Sequence, residues 1–199
     1  MLLFTPFTKR TLLPVNRVTS MSSRACLKKH AFDTIIMEDT KMIKAGIIGA
    51  TGYAGNEIVR LLLGHKNVEV AWYGSRSYID QKYYEVFRNM FQIVDDKCLD
   101  DNMDELAEQV DVIFTATPQG LCASLINEEI LSKTKIIDLS ADFRLKDVKV
   151  YEEWYKIEHK APQYIDEAVY GLCEINRDKV KDARIVANPG CYTTCSILT

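Results

Sequence analysis

Ile43-Lys44-Ala45-Gly46-Ile47-Ile48-Gly49-Ala50-Thr51-Gly52-Tyr53-Ala54-Gly55-Asn56-Glu57-Ile58-Val59-Arg60-Leu61-Leu62-Leu63 is the stretch on which the fold turns. Its first six residues form a short apolar run, predicted as a strand over Ile43 to Ile48. Tyr53 to Leu63 carries Ile58, Leu61 and Leu62 on one face and is predicted as a helix. The glycines between them let the backbone turn tightly and approach a pyrophosphate, while the helix start supplies N–H donors and positive potential. Strand, glycine loop and helix in this order are the context a dinucleotide fingerprint requires. The alternative is that the glycines tighten an ordinary strand-to-helix turn. The candidate cofactor contacts here are Gly49, Thr51, Gly52, Tyr53, Ala54 and Gly55.

Beyond this unit, strands are predicted at Val68 to Tyr73, Val110 to Ala116 and Lys135 to Leu139, with helices at Met103 to Gln109 and Leu121 to Leu131. Such alternation argues a parallel sheet with helices on both faces. The fold class is therefore α/β, a doubly wound Rossmann-like domain over residues 42–145. Residues 146–199 are less regular and are read as the start of a catalytic or substrate region, either packed on the sheet or opening a second domain.

The end of the second strand reads Tyr73-Gly74-Ser75-Arg76-Ser77, where an NAD site usually places Asp or Glu for the ribose hydroxyls. A carboxylate would repel a 2'-phosphate, whereas the Ser75 hydroxyl and Arg76 guanidinium can bind one. NADP is thus expected over NAD; the alternative for Arg76 is a solvated loop cation. Pro118, in the turn Thr115-Ala116-Thr117-Pro118-Gln119-Gly120, ends another strand at the sheet edge where ligands lie, although ordinary turn chemistry explains it too.

Near the end of the chain, Arg184 to Ala187 reads as a buried strand, Pro189 and Gly190 break it, and Cys191 to Leu198 starts a helix. A thiol at such a junction faces unpaired N–H groups and the positive end of the helix dipole, which favour thiolate. The competing reading of any cysteine is a small buried hydrophobe, and Cys195, inside the helix, is expected to be that case.

The chain has 199 residues, 47% of them apolar, enough for one substantial core or one domain plus part of another. Residues 1–32 hold six basic residues and no acid, leaving 19 basic against 28 acidic residues in the remainder. That acidic body carries no nucleic-acid footprint. No apolar run approaches the roughly 18 residues of a membrane span. The six cysteines show no CxxC pair and no histidine at ligand spacing, so neither zinc nor a disulfide framework is indicated. Residues 1–41 read as a disordered leader or extension; the alternative, on their basic composition, is a mitochondrial transit peptide. A cytoplasmic protein is expected, with a mitochondrial location as the alternative.

Together these motifs resemble the N-acetyl-gamma-glutamyl-phosphate reductase family. The resemblance runs from Met42 to Thr199 and rests on Gly49 to Leu62, Gly74-Ser75-Arg76-Ser77, Asp138-Leu139-Ser140-Ala141-Asp142-Phe143-Arg144-Leu145, Tyr170-Gly171-Leu172, Glu174-Ile175-Asn176-Arg177 and Asn188-Pro189-Gly190-Cys191-Tyr192. Cys173 and Thr193 stand where proline is common. The resemblance implies that Cys191 attacks an acyl phosphate to form a thioester that accepts hydride from NADPH. It implies a small-molecule substrate, and a homo-oligomer for the full-length form. It places Ser140, Asp142 and Arg144 near the substrate, the alternative being an Asp142–Arg144 ion pair that orders the loop. The family continues past its nucleophile into a region that supplies a catalytic histidine. His30, His65 and His159 all precede Cys191 and none matches it, so the chain resembles a fragment. The rivals are aspartate-semialdehyde dehydrogenase, whose nucleophile follows Asn rather than Gly190, and a catalytically silent NADP-binding module.

Overall fold

In a computed structural model, residues 41–199 are described. The leader and transit-peptide readings concern residues outside that range, apart from Lys41. Seven parallel strands make one sheet, β1 (Ile43–Ile48), β2 (Val68–Gly74), β3 (Cys98–Leu99), β4 (Val112–Thr115), β5 (Lys135–Asp138), β6 (Val169–Tyr170) and β7 (Ile185–Ala187). Their order is β3-β2-β1-β4-β5-β7-β6. The connection reverses direction between β1 and β4, so the crevice for a ligand opens at the carboxyl ends of those two strands.

Strand alternation divides the core. Ile47 and Tyr73 point to one face, where Val59 of helix α1 (Tyr53–Leu63) and Tyr83, Met90 and Val94 cover them. Ile48 and Trp72 point to the other, packed with Met103, Leu106, Ile113, Ile130 and Ile136. Both faces of the sheet are therefore buried, as a parallel sheet requires. The indole of Trp72 also donates to the Leu106 carbonyl at 3.3 Å, satisfying its buried N–H.

Short helices complete the layers. Tyr83–Val86 (α2) and Met103–Leu106 (α3) are single turns, the latter continuing as a 3-10 turn to Gln109. The helix predicted from Leu121 to Leu131 is instead two, α4 (Leu121–Leu125) and α5 (Glu128–Lys133). Ile126 between them is extended, and the Asn127 side chain caps α5 by accepting from Ile130 N–H at 2.9 Å.

The sheet does not stop at residue 145. After α6 (Val148–Tyr155), capped by Asp147, the chain adds β6, then α7 (Cys173–Asp182), kinked at Asn176, and then β7, which pairs with β5. Residues 41–199 form one compact unit, so the expected boundary falls inside a continuous sheet. The last helix, α8 (Cys191–Leu198), contributes no buried residue. Cys195, expected to be buried, is exposed for that reason.

Candidate active site

Loops leaving the carboxyl ends of the strands are tied into one row by backbone hydrogen bonds. Ser75 N–H donates to Leu99, Gly49 N–H to Gly74, Ala116 N–H to Ile48, Leu139 N–H to Thr115 and Asn188 N–H to Asp138, all at 2.7 to 3.0 Å. The glycine loop, the Ser75-Arg76 turn, the Pro118 turn, the Ser140–Arg144 loop and the Cys191 turn therefore share one edge.

Gly49 has φ 76, and a Cβ there would lie 2.3 Å from the Ala116 carbonyl oxygen. A Cβ on Gly55 would lie 2.1 Å from the Gly49 oxygen, so the start of α1 sits directly on the strand exit. Gly52 is exposed, with nothing nearer than 3.4 Å to such an atom. No side chain caps α1 and its first turn holds no acid, leaving its N–H groups and positive end for an anion. Tyr53 is almost fully exposed beside it. Thr117, whose Cγ2 lies near Gly49, has its Oγ1 buried without a partner. A cradle that backbone can approach, an open helix start and an orphaned hydroxyl fit a dinucleotide.

Thr51 and Ser75 are brought together, their hydroxyls 2.6 Å apart, although 24 residues separate them. Arg76 is exposed, and its Nε donates to Asp101 Oδ2 at 2.5 Å. Asp101 has no local signature in the sequence, since it reaches Arg76 only through the adjacency of β2 and β3. Pro118 lies exposed in the turn after β4, ahead of Gly120 at φ 85.

Cys191 is the first residue of α8, exposed, with extended Gly190 as N-cap, no capping side chain and no acid in the first turn. Arg144 holds the turn that leads to it. Its Nε donates to the Asn188 carbonyl and its Nη2 to the Leu139 carbonyl, each at 2.7 Å. Nη1 lies 3.2 Å from where a Cβ on Gly190 would stand, so the absence of a side chain there leaves space for the guanidinium.

Ser140 and Asp142 are buried and have interior partners. The Ser140 hydroxyl donates to Asp138 Oδ2 at 2.7 Å and accepts from Asp142 N–H at 3.2 Å. Fully buried Asp142 accepts from Gly120 N–H, Ala123 N–H and the Tyr151 hydroxyl at 2.7 to 3.0 Å, closing the start of α4. The alternative Asp142–Arg144 ion pair is not formed. Burial pushes the titration of Asp138, Cys122 and Tyr151 upward. His159 is buried too: its Nδ1 accepts from Ala161 N–H, which assigns the proton to Nε2, donating to the Asp142 carbonyl at 2.6 Å. Both ring nitrogens are occupied, so His159 braces this loop. Among the described residues no group of His, Cys, Asp and Glu could hold a metal ion, and no helix is long and apolar enough to cross a membrane.

A parallel sheet with an open glycine cradle, and a thiol at a second helix start on the same edge, mark a dinucleotide-binding domain. The family described as semialdehyde dehydrogenase, NAD binding domain, matches residues 44–183, and the chain belongs to it. Among curated proteins it is 82% identical over 159 residues to the N-acetyl-gamma-glutamyl-phosphate reductase of Lachnospira eligens, covering 79% of this chain and 46% of that protein. It is 70% identical over 158 residues to the protein of the same name from Lachnoclostridium phytofermentans, with coverage of 79% and 46%. The chain thus spans about half the length of these relatives. Among solved structures, aspartate semialdehyde dehydrogenase II of Vibrio cholerae, complexed with ASA, superposes with a TM-score of 0.56 at 18% identity, over 79% of this chain and 45% of that one. That likeness concerns the fold.

Proposed function

We propose that this chain carries the NADP-binding part and the nucleophile of an enzyme that reduces N-acetyl-glutamyl 5-phosphate to N-acetylglutamate 5-semialdehyde in arginine biosynthesis. The observation that carries the reading is Cys191, exposed at the start of α8 on the same edge as the glycine cradle, in a chain 82% identical to a reductase of that name. In this reading the Cys191 thiolate attacks the acyl carbon, the bond from that carbon to the phosphate oxygen breaks, and a thioester remains. The free N–H groups at the start of α8 stabilise the oxyanion of the tetrahedral species. Gly49, Thr51, Gly52, Tyr53, Ala54, Gly55 and Pro118 hold the dinucleotide, with Ser75 and Arg76 at its 2'-phosphate. Bound NADPH supplies the hydride this chemistry requires. Cys191 is then the leaving group as the semialdehyde departs.

The five described cysteines are free, which suits the cytoplasm as the place of action. A homo-oligomeric full-length form belongs to the same reading. The test runs the reaction backwards: the full-length form is incubated with N-acetylglutamate 5-semialdehyde, phosphate and NADP, and NADPH formation is followed. Turnover abolished by Cys191→Ser supports the reading. NADPH binding without turnover reduces it to a silent binding module, and turnover with aspartate semialdehyde alone replaces the substrate.

A further inference from the structure

We infer that Asp101 is a positioning residue that sets the preference for a 2'-phosphorylated dinucleotide by holding the Arg76 guanidinium through its Nε. The inference rests on the NADP reading above and extends it to a residue outside the glycine loop and the Ser75-Arg76 turn.

Arg76 makes one side-chain hydrogen bond among the described residues, from Nε to Asp101 Oδ2 at 2.5 Å. Neither terminal nitrogen has a partner among those residues. A phosphate is gripped best by two parallel N–H groups, and the Nη pair offers such a fork. An aspartate on a terminal nitrogen would compete for the fork, whereas one on Nε orients it and leaves it open.

The two side chains differ in freedom. Asp101 is 16% exposed and Arg76 59%, so a shielded carboxylate anchors a solvated arginine. The anchor is itself set by the sheet. Ser75 N–H donates to the Leu99 carbonyl at 2.7 Å, and a Cβ on Gly74 would lie 3.3 Å from the Asp100 carbonyl oxygen. The exits of β2 and β3 therefore run in contact, bringing Asp101 alongside Arg76. An untethered arginine loses its rotamer freedom when it grips a phosphate, and the tether removes much of that loss beforehand.

The experiment measures dissociation constants of NADPH and NADH by calorimetry for the wild-type chain, Asp101→Ala and Asp101→Asn. The wild type is expected to bind NADPH more tightly. Asp101→Ala should weaken NADPH by roughly three- to tenfold and leave NADH unchanged. Asp101→Asn keeps an acceptor for Nε and should retain the wild-type preference or exceed it. A wild-type chain that binds both cofactors equally overturns the NADP reading itself. If the wild type does prefer NADPH, the role of Asp101 alone is overturned by an alanine variant that keeps or gains that preference. It is equally overturned by one that weakens both cofactors alike, or by an asparagine variant that behaves as alanine does.

Discussion

Arg144 Nε and the Asn188 carbonyl oxygen stand 2.7 Å apart, joining residues 44 positions apart across the carboxyl edge of the sheet. With the second bond to Leu139, the guanidinium fastens the turn before Cys191 to the loop after β5. A charged donor on a backbone carbonyl is stronger than a neutral one, and here two such bonds converge.

Arg144→Ala leaves both carbonyls without that partner and is expected to destabilise the chain by about 2–3 kcal/mol, read from urea unfolding. Arg144→Lys should recover only part of this, because an ammonium cannot reproduce the planar fork. The alkylation rate of Cys191 should change relative to exposed Cys173 and Cys195, resolved by peptide mapping. An unchanged ratio would mean that the turn is held without Arg144.

Asp142→Ala removes the acceptor for three donors, two of them buried, and is expected to cost about 3–5 kcal/mol. Tyr151→Phe removes one of these bonds and should cost about 1–2 kcal/mol. Chemical denaturation of both variants checks the order; equal losses would contradict it.

Asp138 supplies a pH signature. Burial outweighs the hydrogen bonds from Ser140 and Thr115 and raises its titration in the folded chain. The folded state then binds more protons than the unfolded state above the ordinary aspartate value of about 3.9, so this group's contribution to stability falls as pH rises. The loss begins near that value and is complete once folded Asp138 has ionised. The near-isosteric Asp138→Asn lacks it. Its stability relative to wild type should therefore improve as pH rises from about 4 and then level off. Urea midpoints across this range decide, and a constant difference would exclude the effect.

The glycine loop separates folding from binding. Gly49→Ala and Gly55→Ala each meet a backbone oxygen within 2.3 Å, and Gly49 also has φ 76, so both should lose about 3 kcal/mol or more. Gly52→Ala has room and should keep the wild-type melting temperature while weakening NADPH. Equal melting curves for all three would contradict the packing described.

Much of this was legible beforehand where periodicity is strong. Ile43 to Ile48 and Tyr53 to Leu63 have the bounds their apolar spacing predicts, and Cys191 to Leu198 those expected after the Pro189-Gly190 break. The break at Asn127 was missed because the apolar stripe continues through it, although Asn before Glu128 and Glu129 is a capping signal. Strand β6 has only two residues, too few for a period to register, whereas β7 (Ile185–Ala187) lies within the β-branched run Arg184 to Ala187 that reads as a buried strand. The interior roles of Ser140 and Asp142 were hidden for another reason. Polar residues in a loop at the ligand edge read as ligand contacts, and only the fold puts the N–H groups of Gly120 and Ala123 within reach of Asp142. The exposure of Cys195 likewise depends on how α8 packs, which its composition does not reveal.

Asp142 has one more effect. Helices α1, α4 and α8 all begin where the chain leaves the sheet's carboxyl edge, but only α4 has its start stoppered by a carboxylate of its own chain. The carboxylate offsets the positive end of α4, while the starts of α1 and α8 at Gly52 and Gly190 carry no acid. One buried carboxylate thus closes one of three helix starts along this edge and leaves the other two open to solvent.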